Sequence, residues 1–379
     1  MGRRTKSVAL AAMLLLIPLR SEAIASQHIL APASDKGTEE SELLTAVRQA
    51  PGNAQLVGAL GEFYAHKNQW RESIPWLAKA YALSADNQVV GYDLAFALTQ
   101  AGDLENAKQK IDQMLLLTDS SKLHNLLGSI AERRGKVLEA AKQYHRAAEL
   151  EPTEVNIFDL ATFLVQQKGY VGFVDESIKF FRYGVQKFPR SSQMMVGLGV
   201  ALYAADQYDE GVRVLCAAVD LDPTDRRAIG FLGKARKVSP ALSEEVDRRL
   251  QDFAERYPKN AATNYYYALA LWERGGGGES NNPDKIEEML KIAESQAPGW
   301  YEPHYQLGML LESEKRYGEA IKEMQAAAKI VPDFSPAHFR LAMLYNRTGD
   351  KAKALKESSL VRQIKNKGLK DAMTGDAEK

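Results

Sequence analysis

Residues 198–223 read LGVALYAADQYDEGVRVLCAAVDLDP, and residues 307–332 read LGMLLESEKRYGEAIKEMQAAAKIVP. Leu198, Gly199, Leu202, Gly211, Leu215, Ala218 and Pro223 fall in register with Leu307, Gly308, Leu311, Ala320, Met324, Ala327 and Pro332. The small second residue recurs as Gly61, Ala95, Gly128, Ala161, Gly199, Gly233, Ala268, Gly308 and Ala342, at gaps of 34, 33, 33, 38, 34, 35, 40 and 34. A period of that size marks one supersecondary unit repeated in tandem, and it overrides the two or three domains that 379 residues alone would suggest.

Each unit reads as two helical patterns joined by a short polar turn: Asn68-Gln69, Gly102-Asp103, Arg134-Gly135, Asp206-Gln207 and Gly349-Asp350. The second pattern stops near Pro152, Pro189, Pro223, Pro258, Pro298 or Pro332, because proline cannot continue a helix. An apolar residue three positions after the Leu-Gly pair puts one stripe of the first helix against the second. The small residue lets the backbones approach, Ala107, Ala140 and Ala320 answer it from the second helix, and Tyr144, Phe181, Leu215 and Met324 are expected to fill the space between units. No unit can bury its apolar face alone, so neighbours must stack into a solenoid.

This pattern resembles the tetratricopeptide repeat family over roughly residues 54–361. The resemblance implies an all-α, right-handed superhelical solenoid of antiparallel helix pairs. Departures are visible. The motif's tryptophan is absent, with His124 and His304 at two of its places; extra residues occur at 169–174, and the sixth unit is weak between 234 and 246.

The ends read differently. Arg3, Arg4 and Lys6, an apolar run at 8–19 and Ala23-Ile24-Ala25 have the layout of a secretory signal, cleaved after Ala25. The run is too short to span a bilayer, so an exported, secreted or periplasmic chain without a membrane span in its mature form is expected. The expected organisation is a signal at 1–25, a flexible linker at 26–40, an N-terminal capping helix at 41–53, the array at 54–362 with a bend at 238–283, and a mobile tail at 363–379. Lysine plus arginine equals aspartate plus glutamate at 49 each, which gives no whole-chain case for nucleic acid or an anionic membrane. Cys216, the sole cysteine, has no internal disulfide partner and reads as a packed small residue.

The first helices carry a second stripe spaced 3, 4 and 3: Val89, Tyr92, Phe96, Thr99; Lys122, Asn125, Ser129, Glu132; Val155, Phe158, Thr162, Val165; Ala262, Tyr265, Leu269, Trp272; Glu302, Tyr305, Met309, Glu312. In the resembling family these places line a concave groove that holds peptides or helices. The resemblance therefore nominates Tyr92, Phe96, Asn125, Phe158, Tyr203, Tyr265, Trp272 and Tyr305 as groove residues. Helical spacing serves packing against the next unit's first helix equally well.

Arg226, Arg227, Lys234 and Lys237 form a basic cluster suited to an anionic partner, or a solvated face balanced by Glu244 and Glu245. Gly275 to Gly278 lack the lysine and strand of a phosphate-binding loop and read as a flexible connector. The sequence has no His-Glu-x-x-His frame, nucleophile elbow or dinucleotide fingerprint. The expected function is a non-enzymatic scaffold, without cofactor, that binds an unidentified protein partner. A self-assembling envelope element and a glycan-binding module are the alternatives.

Overall fold

The computed structural model describes residues 38–84, 87–167, 169–236, 242–275 and 282–375, and among them it shows nineteen α-helices and no strand. The expected leader at 1–25, nearly all of the 26–40 linker, Lys237, 276–281 and 376–379 lie outside the described residues. Contacts divide the chain into two compact units, Met1–Ala205 and Asp206–Lys379. The first holds α1 (Thr38–Gln49), α2 (Ala54–His66), α3 (Trp70–Leu83), α4 (Gln88–Gln100), α5 (Leu104–Leu115), α6 (Ser121–Arg133), α7 (Val137–Leu150), α8 (Glu154–Gln166), α9 (Phe173–Lys187) and α10 (Ser192–Ala204). The second holds α11 (Tyr208–Leu221), α12 (Arg226–Ala235), α13 (Ser243–Arg256), α14 (Ala261–Arg274), α15 (Pro283–Gln296), α16 (Tyr301–Ser313), α17 (Tyr317–Ile330), α18 (Ser335–Arg347) and α19 (Lys351–Gly375).

The first helix of each pair is framed from both ends. Eight residues ahead of the small residue, Asn53, Asn87, Thr153, Ser191, Asp225 and Asn260 each accept a backbone N–H of the first turn. Such caps satisfy amides that no helical carbonyl can reach. Seven residues after the small residue, Asn68, Gly102, Gly135, Asp206, Lys315 and Gly349 adopt positive φ and turn the chain into the second helix. Glycine and asparagine tolerate that conformation; Lys315 is the costly member of the set.

The small residues act by proximity. A Cβ added at Gly61 would stand 2.7 Å from Leu77 Cγ, at Gly128 2.5 Å from Tyr144 Cε1, and at Gly308 2.9 Å from Met324 Cε. Tyr144 and Met324 therefore pack over the glycine of their own pair, a correction to the inter-unit role expected of them. Tyr144 also reaches Phe163 of the next pair at 5.3 Å between ring centroids. Phe181 does fill the space between pairs, lying over Gly197.

An imidazole stands where the family's tryptophan would. His124, His304 and His338 each donate through Nδ1 to a side chain nineteen residues on, Gln143 at 2.6 Å, Glu323 at 2.8 Å and Glu357 at 2.6 Å. Each bond ties a first helix to its second.

In the first unit, α1 covers α2 through Val47, which shares a core with Val57 and Leu60. In the second, α12 packs on α11 and α14 and only lightly on its own partner α13, which locates the irregularity of the sixth repeat. α19 continues to Gly375, through most of the stretch expected as a tail from 363, since no proline interrupts it. No described helix is long and apolar enough to cross a membrane.

Candidate functional site

Within the first unit, α2 touches α4, α4 touches α6, and α8 touches α10, so the first helices form a layer of their own. Residues two or three before the small residue, and one after it, share one register of that layer, and those on α6 and α8 are buried. They are Glu62 on α2, Tyr92, Asp93 and Phe96 on α4, Asn125 on α6, and Phe158, Asp159 and Thr162 on α8. Tyr92 and Phe96 are half-buried, stacked at 6.3 Å, with Trp70 edge-on to Phe96 at 5.7 Å. Phe158 is buried edge-on against Phe181 at 5.9 Å, and Tyr203 is buried in α10.

Hydrogen bonding on this face is one-sided. Asn125, only 9% exposed, donates through Nδ2 to Asn156 Oδ1 at 2.6 Å, while its own Oδ1 has no donor. Asn156 is anchored in turn by donating to Glu151 O at 2.6 Å and Ala147 O at 3.3 Å, which fixes how Asn125 faces. The hydroxyl of Thr162 is also enclosed without a partner. Burial pushes the Asp93 carboxyl up to about 6; Glu62 adds to the shift and Lys122 opposes it. Burial raises the Tyr92 phenol as well, with Asp93 and Asp159 contributing. The face thus presents buried acceptors that lack donors, each costing roughly 1–3 kcal/mol while unmet.

The second unit places its expected groove residues differently. Tyr265 is buried beneath Trp300, 4.6 Å between centroids, and Trp272 is buried in α14. Tyr305 is half-buried and meets Phe334 edge-on at 5.1 Å. Trp300 and Phe334 occupy the place, eight residues before the small residue, that elsewhere holds a polar cap, and neither caps through its side chain. The rings of α14 and α16 are therefore covered by the following pair rather than left open. Phe339, at the place in α18 equivalent to Tyr305, is 54% exposed because no further first helix among the described residues covers it.

The basic cluster is engaged within its own unit. Arg226 lies over the Trp300 ring at 4.2 Å, Arg227 binds Asp225 at 2.9 Å, and Lys234 feels the Glu302 carboxylate. Burial lowers the Lys234 ammonium. The balancing acids are thus Asp225 and Glu302 rather than the expected Glu244 and Glu245. Arg236, from the same run, joins a buried network: it pairs with Asp247 and with Glu273 at 2.6 Å, and Arg274 donates to Asp247 at 2.7 Å. Cys216 is buried, and burial pushes its thiol up to about 11, which keeps it protonated and unreactive at neutral pH.

Sequence reading passed over Asp93, Glu62 and Phe339. Asp93 and Asp159 share one position, two before the small residue, and that coincidence was the available signal.

The tetratricopeptide repeat family profile matches residues 301–334. The human protein O-mannosyl-transferase TMTC3 is 22% identical over 312 residues, which is 76% of this chain and 33% of that protein. The chain thus spans a third of that relative's length, and the transferase activity is the relative's. Among solved structures, yeast Tom70 aligns at 14% identity with a TM-score of 0.40, covering 90% of this chain and 92% of that one. The human IFIT1 dimer with PPP-AAAA aligns at 17% and 0.42, covering 93% and 76%. With successive helix pairs, a glycine at the crossing of three of them and the family match in its eighth pair, the chain is a tetratricopeptide-like repeat protein.

Proposed function

We propose that the chain is an exported, non-catalytic interaction scaffold whose α4–α6–α8 face captures an extended segment of a partner protein. The observation that supports this most is the desolvated Asp93 carboxyl, with Asn125 Oδ1 and Thr162 Oγ1 enclosed without hydrogen bonds at the same register of α6 and α8. A peptide supplies a lysine or arginine for Asp93, and its backbone N–H groups reach the amide and hydroxyl once the side chains enclosing them move aside. The half-buried Tyr92 and Phe96 rings offer apolar area beside them. Export rests on the basic, apolar and small-residue layout of residues 3–25. N-terminal sequencing of the mature protein is expected to begin at Ser26.

The binding test is selection of displayed random peptides on the full chain. Selected peptides are expected to share a lysine or arginine. A cation beside Asp93 favours the ionised carboxyl, so binding releases a proton and affinity rises between pH 5 and 7 as the free group titrates near 6. Asp93→Asn should weaken binding about tenfold, roughly 1.4 kcal/mol, and flatten that dependence. Peptides that bind Asp93→Asn unchanged, with no pH dependence, would remove this face as the site.

A further inference from the structure

Glu294 breaks the rule of its own position. Fourteen residues before the small residue, eight of the nine units place an apolar side chain: Val47, Tyr81, Met114, Ala147, Val185, Val219, Ala254 and Ala328. The unit led by Gly308 places Glu294 there, near the end of α15. Its carboxylate faces His304 of α16, Oε1 lying 3.1 Å from Nδ1. That same nitrogen carries the bond to Glu323 of α17 at 2.8 Å. An imidazole Nδ1 holds one hydrogen, and here the hydrogen is directed to Glu323. Glu294 Oε1 is therefore close to Nδ1 yet enclosed without a hydrogen-bond partner.

The sibling pairs show that the fold does not need this third group. His338 closes its helix pair with Glu357 alone, and its Nε2 turns to the Pro332 carbonyl at 2.9 Å. His124 uses Gln143 on Nδ1 and Asp119 on Nε2. Only at His304, among the described residues, do three donor atoms of His, Cys, Asp or Glu converge, all within 4.8 Å of one another. Two carboxylates and a neutral imidazole form a donor set suited to a divalent transition ion. Ligand atoms at about 2.0–2.2 Å from a tetrahedral zinc stand roughly 3.3–3.5 Å apart. The separations of 2.8 and 3.1 Å at Nδ1 widen by about 0.2–0.7 Å to reach that, and the two carboxylate oxygens, within 4.8 Å of each other, adjust by side-chain rotation.

We propose that Glu294, His304 and Glu323 form a divalent transition-metal site that clamps α15, α16 and α17 together. Zinc takes the place of the Nδ1 hydrogen of the His304 imidazolium that the two carboxylates hold; that hydrogen leaves as a proton and Nε2 keeps its own, so the bound ring is neutral. The carboxylates supply two oxygens, and the fourth position is open to water or to a partner's side chain. Glu294 exchanges its ion pair with the His304 ring for a bond to the metal.

The test uses the full chain, free of any tag and treated with chelator, titrated with zinc chloride alone in a calorimeter. One equivalent should bind with micromolar or tighter affinity. Glu294→Ala, the residue that three sibling units carry at this place, should fold normally and bind at least tenfold more weakly. Glu323→Gln should weaken binding likewise, and Glu357→Gln, at the two-group sibling, should not. Absence of a stoichiometric site, or parental affinity in folded Glu294→Ala, overturns the assignment. The loss is read against the folded state of each variant by circular dichroism, so misfolding is not mistaken for loss of a ligand.

Discussion

The place eight residues ahead of the small residue does opposite jobs in two stretches of the molecule. At α4, α8 and α10 it is Asn87, Thr153 or Ser191, a polar cap that ends the amide shortage of its own helix. At α16 and α18 it is Trp300 or Phe334, a ring that seals the tyrosine of the preceding pair. A cap is worth about 1 kcal/mol and an aromatic pair about 0.5–1.5 kcal/mol beyond its buried area, so helix stability tolerates either choice. The consequence falls on the face of the first helices. Caps go with Asn125 and Thr162 left without partners and Asp93 desolvated, whereas rings close over Tyr265 and pack against Tyr305. The second unit also pairs two of its buried acids with arginines: Asp247 accepts from Arg236 and Arg274, and Glu312 forms ion pairs with Arg340 and Arg347. At these positions one stretch closes on its own rings and arginines, and the other leaves an amide and a hydroxyl unmet.

The largest test of that contrast is Asp247→Ala. Asp247 is 3% exposed, and removing it leaves Arg236 with Glu273 alone and takes the carboxylate away from Arg274. Breaking a buried pair from one side costs about 3–5 kcal/mol, and the lower end is expected here because Glu273 still faces Arg236. Repeat arrays open locally, so the readout is amide hydrogen exchange in α12, α13 and α14. Exchange there should accelerate about a hundredfold or more, with α2 to α8 unaffected. Comparable acceleration in both units would mean that the buried network does not belong to the second unit alone.

The next comparison uses the shared position itself. Trp300→Ala removes the ring over Tyr265, the contact to Tyr266 at 6.2 Å and the Arg226 stack, for an expected loss of about 2–3 kcal/mol. Asn87→Ala removes one capping side chain, for about 1 kcal/mol. The tryptophan change should also make Tyr265 accessible to a quencher, and the asparagine change should expose no ring. Equal losses at the two places would dissolve the distinction between sealing and capping.

Much of this architecture was legible because it is set by local chemistry. A glycine one residue after leucine, a left-handed turn seven residues on and a proline past the second helix each answer a backbone requirement met within a few residues. The face of the first helices was legible too, since a spacing of 3, 4 and 3 fixes it. What covers that face was not, because it depends on a residue some 30 positions away in the following pair. Trp300 follows Pro298-Gly299 and reads as a turn residue; only stacking turns it onto Tyr265. Asp93 reads as ordinary helix-surface charge, and its desolvation arises from three helices meeting. Glu294 was legible in principle, as the one acid in a column of apolar residues, once the columns are aligned backward from the small residue rather than forward.

The smallest expected effect is the most telling. Asn125→Leu and Thr162→Val remove the unmet acceptors while keeping much of the volume. An unsatisfied buried polar atom costs free energy, and an apolar replacement of similar shape removes that cost. Asn125 also gives up its bond to Asn156, an offset of about 1 kcal/mol, so its net change should lie near zero. Thr162→Val surrenders no bond made by its hydroxyl and should stabilise α8 by up to about 1 kcal/mol, seen as slower exchange of its amides. Both variants should nevertheless lose the peptide selected on the parent chain. Residues kept for folding are expensive to replace, as at Asp247. Residues kept for a partner are cheap to replace until the partner is added, and that separation between stability and binding is what a site on the α4–α6–α8 face requires.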